Sequence, residues 1–93
     1  MNYYVYILRC SDASYYVGLT NDLKKRLVEH NTSLIKNYTR QRKPLKLVWY
    51  SIFQNIITAI SVEKQIKGWR REKKEALINH REEQLPRLSK RYT

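Results

Sequence analysis

The chain contains one cysteine, two glycines and two prolines. The lone Cys10 excludes an internal disulfide framework and the usual cysteine-rich zinc site. So few glycines and prolines exclude a collagen-like or linker-like chain. No apolar run approaches the ~18 residues that a membrane-spanning helix needs. The opening Met1-Asn2-Tyr3 lacks the basic and then apolar pattern of a secretory signal, so we expect a cytoplasmic protein.

Acidic residues are also scarce. The 93-residue chain has 8 Asp and Glu against 19 Lys and Arg, a formal net charge of +11. Its 42% of hydrophobic residues suffices for the core of one small folded domain. The positive surplus indicates a polyanionic partner, with nucleic acid the leading candidate, an anionic membrane surface the second, and simple solubility the alternative. Eight tyrosines favour nucleic acid, because tyrosine offers a flat face to a base and a hydroxyl to a phosphate.

Three segments have the composition of β-strands. Runs rich in β-branched, aromatic and aliphatic residues cover 3–10, 15–19 and 45–53. A turn-forming cluster at 11–14 separates the first two runs, which predicts an antiparallel hairpin with a four-residue loop.

Two segments have the periodicity of helices. One helix is predicted over about 20–31 with Thr20 as its N-cap, and a longer one over about 58–79 with Thr58 as its N-cap. The order β-β-α-β-α predicts an α+β fold in which helices pack on a small three-stranded antiparallel sheet. The expected organisation is one domain over 1–80 and a basic tail over 81–93.

The first predicted helix carries two candidates for chemistry. At 100° per residue, Arg26 and His30 lie on one side and border the apolar stripe of Leu23 and Leu27. An arginine is a planar fork for a phosphate, and a histidine exchanges a proton near neutral pH. The alternative is an ordinary surface arginine and a histidine at the edge of the core.

The second predicted helix carries an acidic residue on its inward stripe. Glu63 lies close in angle to Ala59 and Ile66, where a carboxylate costs free energy unless it is paired or binds a cation. A divalent metal ion, which prefers oxygen ligands, is one solution. An ion pair with Lys67 at i,i+4, or with Arg70, is the other. The residues alone leave both open.

The register of the hairpin decides whether Tyr6 and Tyr16 share a face. They do so only if paired positions have an even sum, as with Leu8 opposite Tyr16. The four-residue loop gives an odd sum and opposite faces, so a shared site needs an odd-numbered loop or a β-bulge. Gly18 in the second strand indicates a bulge or a close backbone approach, near a helix N-terminus where a phosphate would fit.

Taken in order, these residues resemble the GIY-YIG nuclease superfamily over roughly residues 2 to 80. The family's two tripeptides align with Tyr4-Val5-Tyr6 and Tyr16-Val17-Gly18, with valine where isoleucine is usual. The family's arginine aligns with Arg26, and a position that is His or Tyr aligns with His30. Its metal-binding glutamate aligns with Glu63. The chain looks like the small stand-alone bacterial members.

The resemblance implies an endonuclease that hydrolyses phosphodiester bonds with a divalent cation, Mg²⁺ or Mn²⁺. It implies that Glu63 holds the cation and that Arg26 stabilises charge on the phosphate. Tyr6 would orient the attacking water or take its proton, with Tyr16 and His30 in support. A free tyrosine has a pKa near 10, so Tyr6 acts as a base only if positive charge lowers its pKa, and otherwise only positions the water.

The nucleic-acid backbone would be held, without reading of sequence, by Gly18 and by basic side chains in two segments. These basic residues are Arg40, Arg42, Lys43, Arg70, Arg71, Lys73 and Lys74. DNA is expected rather than RNA, on branched, damaged or flapped structures, with no membrane partner and with a protein partner as one source of specificity. The alternative is a non-catalytic nucleic-acid-binding module on the same fold.

Overall fold

The strands and helices follow the predicted order, with one helix more than predicted. A computed structural model describes residues 1–32 and 42–79. Its elements are β1 (Tyr3–Arg9), β2 (Tyr15–Thr20), α1 (Leu23–Asn31), β3 (Lys46–Phe53), α2 (Ile56–Lys67) and α3 (Arg71–Asn79). The strands form one antiparallel sheet in the order β2-β1-β3, which confirms the predicted α+β class. Arg40 and the predicted tail over 81–93 lie outside the described residues.

The hairpin between β1 and β2 has an even register. Tyr6 pairs with Gly18, and Leu8 pairs with Tyr16. The predicted four-residue loop is wrong, because Cys10 leaves the strand and the loop therefore contains five residues. The Cys10 N–H donates to the Ser14 carbonyl over 2.9 Å and closes this loop. Tyr6 and Tyr16 consequently lie on the same face of the sheet.

The central strand β1 is covered on both faces. Val5 and Ile7 point to one face, where they pack with buried residues of α2 and α3. Tyr6 and Leu8 point to the other face, where partly buried leucines of α1 pack against them. Burial on both sides explains the unbroken apolar composition of this strand. The tyrosine face therefore lies beneath α1, and α2 and α3 lie across the sheet.

The helix N-caps differ from the predicted ones. Asp22, and not Thr20, caps α1, and its carboxylate accepts from the Lys25 N–H over 3.1 Å. Asn55, and not Thr58, caps α2, and its side-chain oxygen accepts from backbone N–H groups at the start of that helix. In both cases a hydroxyl was preferred in the prediction although an Asp or Asn nearby is an equally good acceptor.

The predicted long second helix is two helices. Gly68 ends α2, its N–H donating to carbonyls in the last turn of that helix. The carbonyl of Arg70 then accepts from the N–H groups of Lys73 and Lys74 and begins α3. A glycine inside a helical pattern has low helix propensity, and here it coincides with the break. In the two described ranges, none of the helices is long and apolar enough to cross a bilayer.

Gly18 lies directly beneath the ring of Tyr6. A Cβ built on Gly18 would overlap with Cζ and Oη of Tyr6 and would lie 2.9 Å from Cε1. Substitution of Gly18 by alanine therefore forces Tyr6 or the β2 backbone to move, and we expect a loss of about 1–3 kcal/mol in the free energy of unfolding.

Gly68 offers a matched control for Gly18→Ala. A Cβ on Gly68 would meet its nearest atoms at 3.7 Å, an ordinary contact, and its backbone is in the right-handed helical region. We expect Gly68→Ala to be neutral or stabilising by about 0.4–1 kcal/mol. Urea denaturation of both variants and the parent measures the difference. Equal midpoints for Gly18→Ala and the parent would contradict the close contact.

Candidate active site

Tyr6 and His30 form a buried pair at the centre of the tyrosine face. Tyr6 lies on β1, and His30 lies in the last turn of α1 on the helix face that meets the sheet. The Tyr6 Oη and His30 Nε2 atoms are 3.1 Å apart and share a hydrogen bond, while both residues are almost fully removed from solvent. These two predicted site residues are therefore in contact, although 24 residues separate them in the chain.

Tyr16 of β2 completes an aromatic cluster with this pair. Its ring centroid lies 5.1 Å from that of His30, at an interplanar angle of 65°, and 6.3 Å from that of Tyr6. Edge-to-face and tilted packing at these distances is favourable for aromatic rings. Tyr16 is partly exposed to solvent, whereas the other two residues of the cluster are buried.

Arg26 lies one turn before His30 on α1 and is half-exposed. Its Nε atom is 3.4 Å from Oε1 of Glu29, an i,i+3 ion pair. The Arg26 charge acts on the cluster, where it lowers the pKa of both Tyr6 and His30. Glu29 was not among the predicted site residues, although its i,i+3 spacing from Arg26 was a signal for this pair.

Glu63 lies on α2 with 15% of its side chain exposed. Its Oε2 atom is 2.9 Å from Nζ of Lys67, so the ion pair that the i,i+4 spacing allowed is present. This hydrogen bond raises the pKa of the Lys67 ammonium. The Glu63 charge also raises the pKa of Tyr6, and Tyr16 raises that of Lys67. The Glu63 charge therefore reaches Tyr6, and the partly exposed carboxylate is not sealed in the core.

Burial governs the protonation of Tyr6. It raises the pKa of the Tyr6 hydroxyl well above its ordinary value, with Tyr16 adding to the rise and Arg26 opposing it. The positive charge of Arg26 is thus too weak to make Tyr6 a base at neutral pH. Of the two roles that the resemblance implies for Tyr6, the raised pKa favours the positioning of water.

Burial also keeps His30 neutral. It lowers the pKa of the imidazole below 6.5, Arg26 lowers it further, and Glu29 opposes the shift. Between the pKa values of the folded and unfolded states, the unfolded chain binds a proton that the folded chain does not. The stability from neutral His30 is therefore complete above about pH 6.5 and decreases as the pH falls through the folded-state pKa.

We expect urea denaturation to report this titration. From about pH 8 to about pH 5, the parent should lose stability as the pH falls, and His30→Gln should lose less. Carboxylates titrate mainly below this range, and His80 is common to both proteins. Parallel pH profiles for the two proteins would show that His30 does not carry the effect.

A divalent cation fits the donor set only with help from water and substrate. Among residues 1–32 and 42–79, no three His, Cys, Asp or Glu side chains come together as a metal cluster. Among the predicted site residues, Glu63 is the one with a carboxylate, and this carboxylate is 2.9 Å from the Lys67 ammonium. Mg²⁺ is commonly bound through one or two carboxylates together with waters and substrate phosphates. The side chains present are compatible with that mode.

Arg42 is engaged at the hairpin loop. Its Nε atom is 3.1 Å from Oδ2 of Asp12, and its carbonyl accepts from the Ser11 N–H over 2.8 Å. The neighbouring Lys43 is also in the segment that leads into β3. This part of the predicted nucleic-acid contact therefore ties the β1–β2 loop to the chain before β3.

The other predicted basic segment begins α3 and is anchored to β2. Arg71 lies 4.8 Å above the Tyr15 ring, and its Nε atom is 3.2 Å from Oε2 of Glu75. Tyr15 Oη donates to the same carboxylate over 3.1 Å. Lys73 Nζ lies 4.4 Å from the centroid of Trp69. The hydrogen bond between Tyr15 and Glu75 joins residues 60 apart, so no local signal could have revealed it.

Arg70 and Lys74 have a different environment within this basic segment. Arg70 is exposed in the break between the helices, and Lys74 is partly exposed in α3. Arg70 follows Lys67, the partner of Glu63, by three residues. The two basic side chains are therefore close together in the chain. Gly18, the remaining predicted contact, is buried beneath Tyr6 and offers no exposed backbone.

The antiparallel sheet, with this tyrosine–histidine cluster under α1, defines a small α+β domain that can be compared with known families. The GIY-YIG catalytic domain family matches residues 2–76, and the chain belongs to this family. Its members form a nuclease superfamily that acts on nucleic acid and generally depends on a divalent metal.

Within the family, the chain is similar to a group of small proteins. A UPF0213 protein of Bacillus pumilus is 43% identical over 77 residues, which covers 83% of this chain and 79% of the relative. The solution structure of the UPF0213 protein BH0048 from Bacillus halodurans is 41% identical, with a TM-score of 0.57 over 84% of this chain and 83% of that one. The structure of EF2693 from E. faecalis is 32% identical, with a TM-score of 0.61 over 86% and 85%.

Proposed function

We propose that this chain is a divalent-metal-dependent endonuclease that hydrolyses phosphodiester bonds in cytoplasmic DNA, with branched, damaged or flapped structures as substrates. The observation that carries the proposal is the hydrogen bond between Tyr6 and His30, one helical turn from Arg26, with Tyr16 packed beside them. Each of these residues occupies a motif position of the GIY-YIG family. If each of these residues had only its own structural role, there would be no reason for them to lie close together.

We assign to Arg26 the stabilisation of the negative charge that develops on the phosphate. In the described part of the chain, its ion pair with Glu29 is made through Nε. That contact orients the guanidinium and leaves the Nη edge for phosphate oxygens. Arginine matches phosphate geometry with two parallel donors, and such donors act most strongly on charge that increases in the transition state.

We assign to Glu63 the binding of the divalent cation. Support comes from the pair with Lys67, in which this carboxylate already has a cationic partner, and from the exposure of 58% of the Lys67 side chain, which allows an ion to displace it. A Mg²⁺ or Mn²⁺ ion bound there supplies Lewis-acid stabilisation of the phosphate and of the leaving oxygen.

We assign to Tyr6 and His30 the orientation and deprotonation of the attacking water. With its proton on Nδ1, neutral His30 accepts the Tyr6 O–H at Nε2, and the Tyr6 oxygen then accepts a hydrogen bond from a water at the rim. Tyr16, the exposed member of the cluster, orients that water from the side of β2. His30 Nε2 is also able to hold a proton passed from Tyr6 when the water is deprotonated.

Non-specific backbone contacts are assigned to the basic start of α3, where Arg70 is exposed and Lys74 partly so. Such contacts fix the substrate without reading its sequence. A protein partner would then supply the choice of target. Arg42, Lys43, Arg71 and Lys73 are assigned further backbone contacts, whose affinity falls with rising salt. The same role is proposed for Arg40 from its charge, although it lies outside the described residues.

The test is cleavage of supercoiled plasmid and of flapped and branched oligonucleotides with Mg²⁺ or Mn²⁺. Conversion of plasmid to nicked circles, abolished by EDTA, is the expected result. The assay is repeated on RNA of matched structure, and faster cleavage of RNA would contradict the choice of DNA. Binding without turnover on every substrate would contradict the endonuclease.

A non-catalytic nucleic-acid-binding module is the second candidate. The observation that favours it is the Glu63–Lys67 ion pair, which neutralises the carboxylate without a metal. This function requires salt-sensitive binding that divalent cations do not strengthen. Turnover that depends on Mg²⁺ or Mn²⁺ separates the two functions.

A further inference from the structure

A groove beside α1 is not used by the proposed chemistry. It has a volume of ≈ 440 Å³ and lies between β1, β3 and the first turn of α1. Tyr4, Tyr50 and Ile52 form its floor, and Lys24 stands on its rim. Tyr50 pairs with Tyr6 across the sheet, so the groove and the aromatic cluster share one face.

The floor of the groove is aromatic and open. The Tyr4 and Tyr50 rings are 6.3 Å apart at 52°, and 50% of Tyr50 and 49% of Ile52 remain exposed. Neighbouring exposed apolar side chains of this size are costly in water and usually mark a binding surface. A half-exposed tyrosine next to a second one offers a surface on which a flat ring stacks.

The charge around the groove favours an anionic ligand. Lys24 is exposed at the rim, and the chain as a whole carries +11. The one rim carboxylate, Asp22, accepts from the Lys25 N–H as the helix cap. A second copy of a chain with this net charge is repelled over the same surface. An anion with a flat apolar ring therefore fits better than another protomer.

We propose that this groove binds one unpaired nucleobase of a single-stranded segment, stacked on Tyr50, with its phosphate near Lys24. The proposal rests on the proposed function in that the ligand is the nucleic-acid substrate. It adds a base-binding site, and among the proposed substrates it favours those in which single strand adjoins the scissile bond.

The position of α1 gives the path of the strand. Lys24 and Arg26 are two residues apart and therefore about 200° apart around the helix, on opposite flanks. The groove lies on the Lys24 flank, and the phosphate assigned to Arg26 lies on the other. The strand thus crosses the first turn of α1, where the basic side chains of Lys24 and Arg26 attract phosphate.

Binding measurements without turnover test the groove directly. Fluorescence anisotropy is recorded in EDTA with a labelled oligothymidylate of about 12 nucleotides and with a blunt duplex of the same length. Tyr50→Ala should weaken single-strand binding roughly tenfold and leave duplex binding within about twofold, because stacking is lost and charge is unchanged. Tyr50→Phe, which keeps the ring, should bind like the parent.

Ile57→Ala is the matched control. Ile57 is the more exposed apolar side chain, at 71%, but it lies on α2 outside the groove. It should leave both affinities unchanged. Equal losses for single strand and duplex in Tyr50→Ala, or no loss, would overturn the proposal. Sedimentation of the parent gives the competing outcome: a dimer that Tyr50→Ala dissociates would assign the groove to a second copy.

The outcome is separable from that of the proposed function. A chain that cleaves DNA but binds single strand equally well with Ala at position 50 retains the endonuclease and loses the base site. A chain that never cleaves but loses single-strand affinity in Tyr50→Ala retains the base site and loses the endonuclease.

Discussion

Glu63→Gln should reduce metal-dependent cleavage by about 10³-fold or more, because it removes the negative charge that holds the cation. The substitution is nearly isosteric, and the side chain is at the margin of the core with 15% exposure. The fold should therefore remain, with a loss of about 1 kcal/mol or less from the broken pair with Lys67. Initial rates of plasmid nicking across a Mn²⁺ titration measure the effect, and circular dichroism verifies the fold.

Lys67→Gln distinguishes a metal ligand from a purely structural partner. It breaks the same ion pair from the other side and leaves the Glu63 carboxylate intact. If Glu63 holds the cation, Lys67→Gln retains cleavage and requires less metal for half-maximal rate, because the competing ammonium is gone. If Glu63 serves only the ion pair, the two variants behave alike, and that result would remove Glu63 from the site.

The composition of β1 made much of the fold predictable. Val5 to Leu8 are all buried, so both faces of the strand had to be covered and helices had to lie on each side. Whether Tyr6 and Tyr16 meet depended on one residue, Cys10, which joins the loop and changes the parity of the register. Composition does not decide between a strand end and a loop start at such a residue.

The second helix shows a different limit. Apolar residues continue at helical spacing from Ala59 through Leu77, and both are buried against the same core. The pattern therefore predicted one helix, although Gly68 marked the point at which the axis changes. The spacing of apolar residues shows which side of a helix faces the core. It does not reveal a break after which the next helix turns its apolar side to the same core.

The meeting of Tyr6, Tyr16 and His30 could be predicted, but the electrostatics of this cluster could not. The spacing of Arg26 and His30 on one helix fixed their common side, and the even register brought Tyr6 to His30. The strong rise in the pKa of Tyr6 depends on how completely the ring is buried, which no sequence pattern specifies. This is why a base and a positioning group were equal alternatives until the packing was known.

Arg26→Lys is expected to reduce cleavage by about 10² to 10³-fold while net charge stays at +11. Lysine preserves attraction for DNA but offers a single ammonium in place of two parallel donors, so the loss falls on the transition state. It also loses the Nε contact of 3.4 Å with Glu29 that orients the guanidinium. Turnover rate and DNA affinity, measured separately, should show a lower rate with affinity within about twofold.

Lys25→Ala is the matched control for Arg26→Lys. Lys25 lies on α1 beside Arg26, is exposed, and lines neither the cluster nor the groove. Its removal lowers net charge by one, so it should weaken DNA binding slightly and leave the maximal rate unchanged. A fall in affinity without a fall in rate for Arg26→Lys would assign Arg26 to ordinary backbone binding. A fall in rate confined to Arg26→Lys requires the guanidinium to face the phosphate while its negative charge increases.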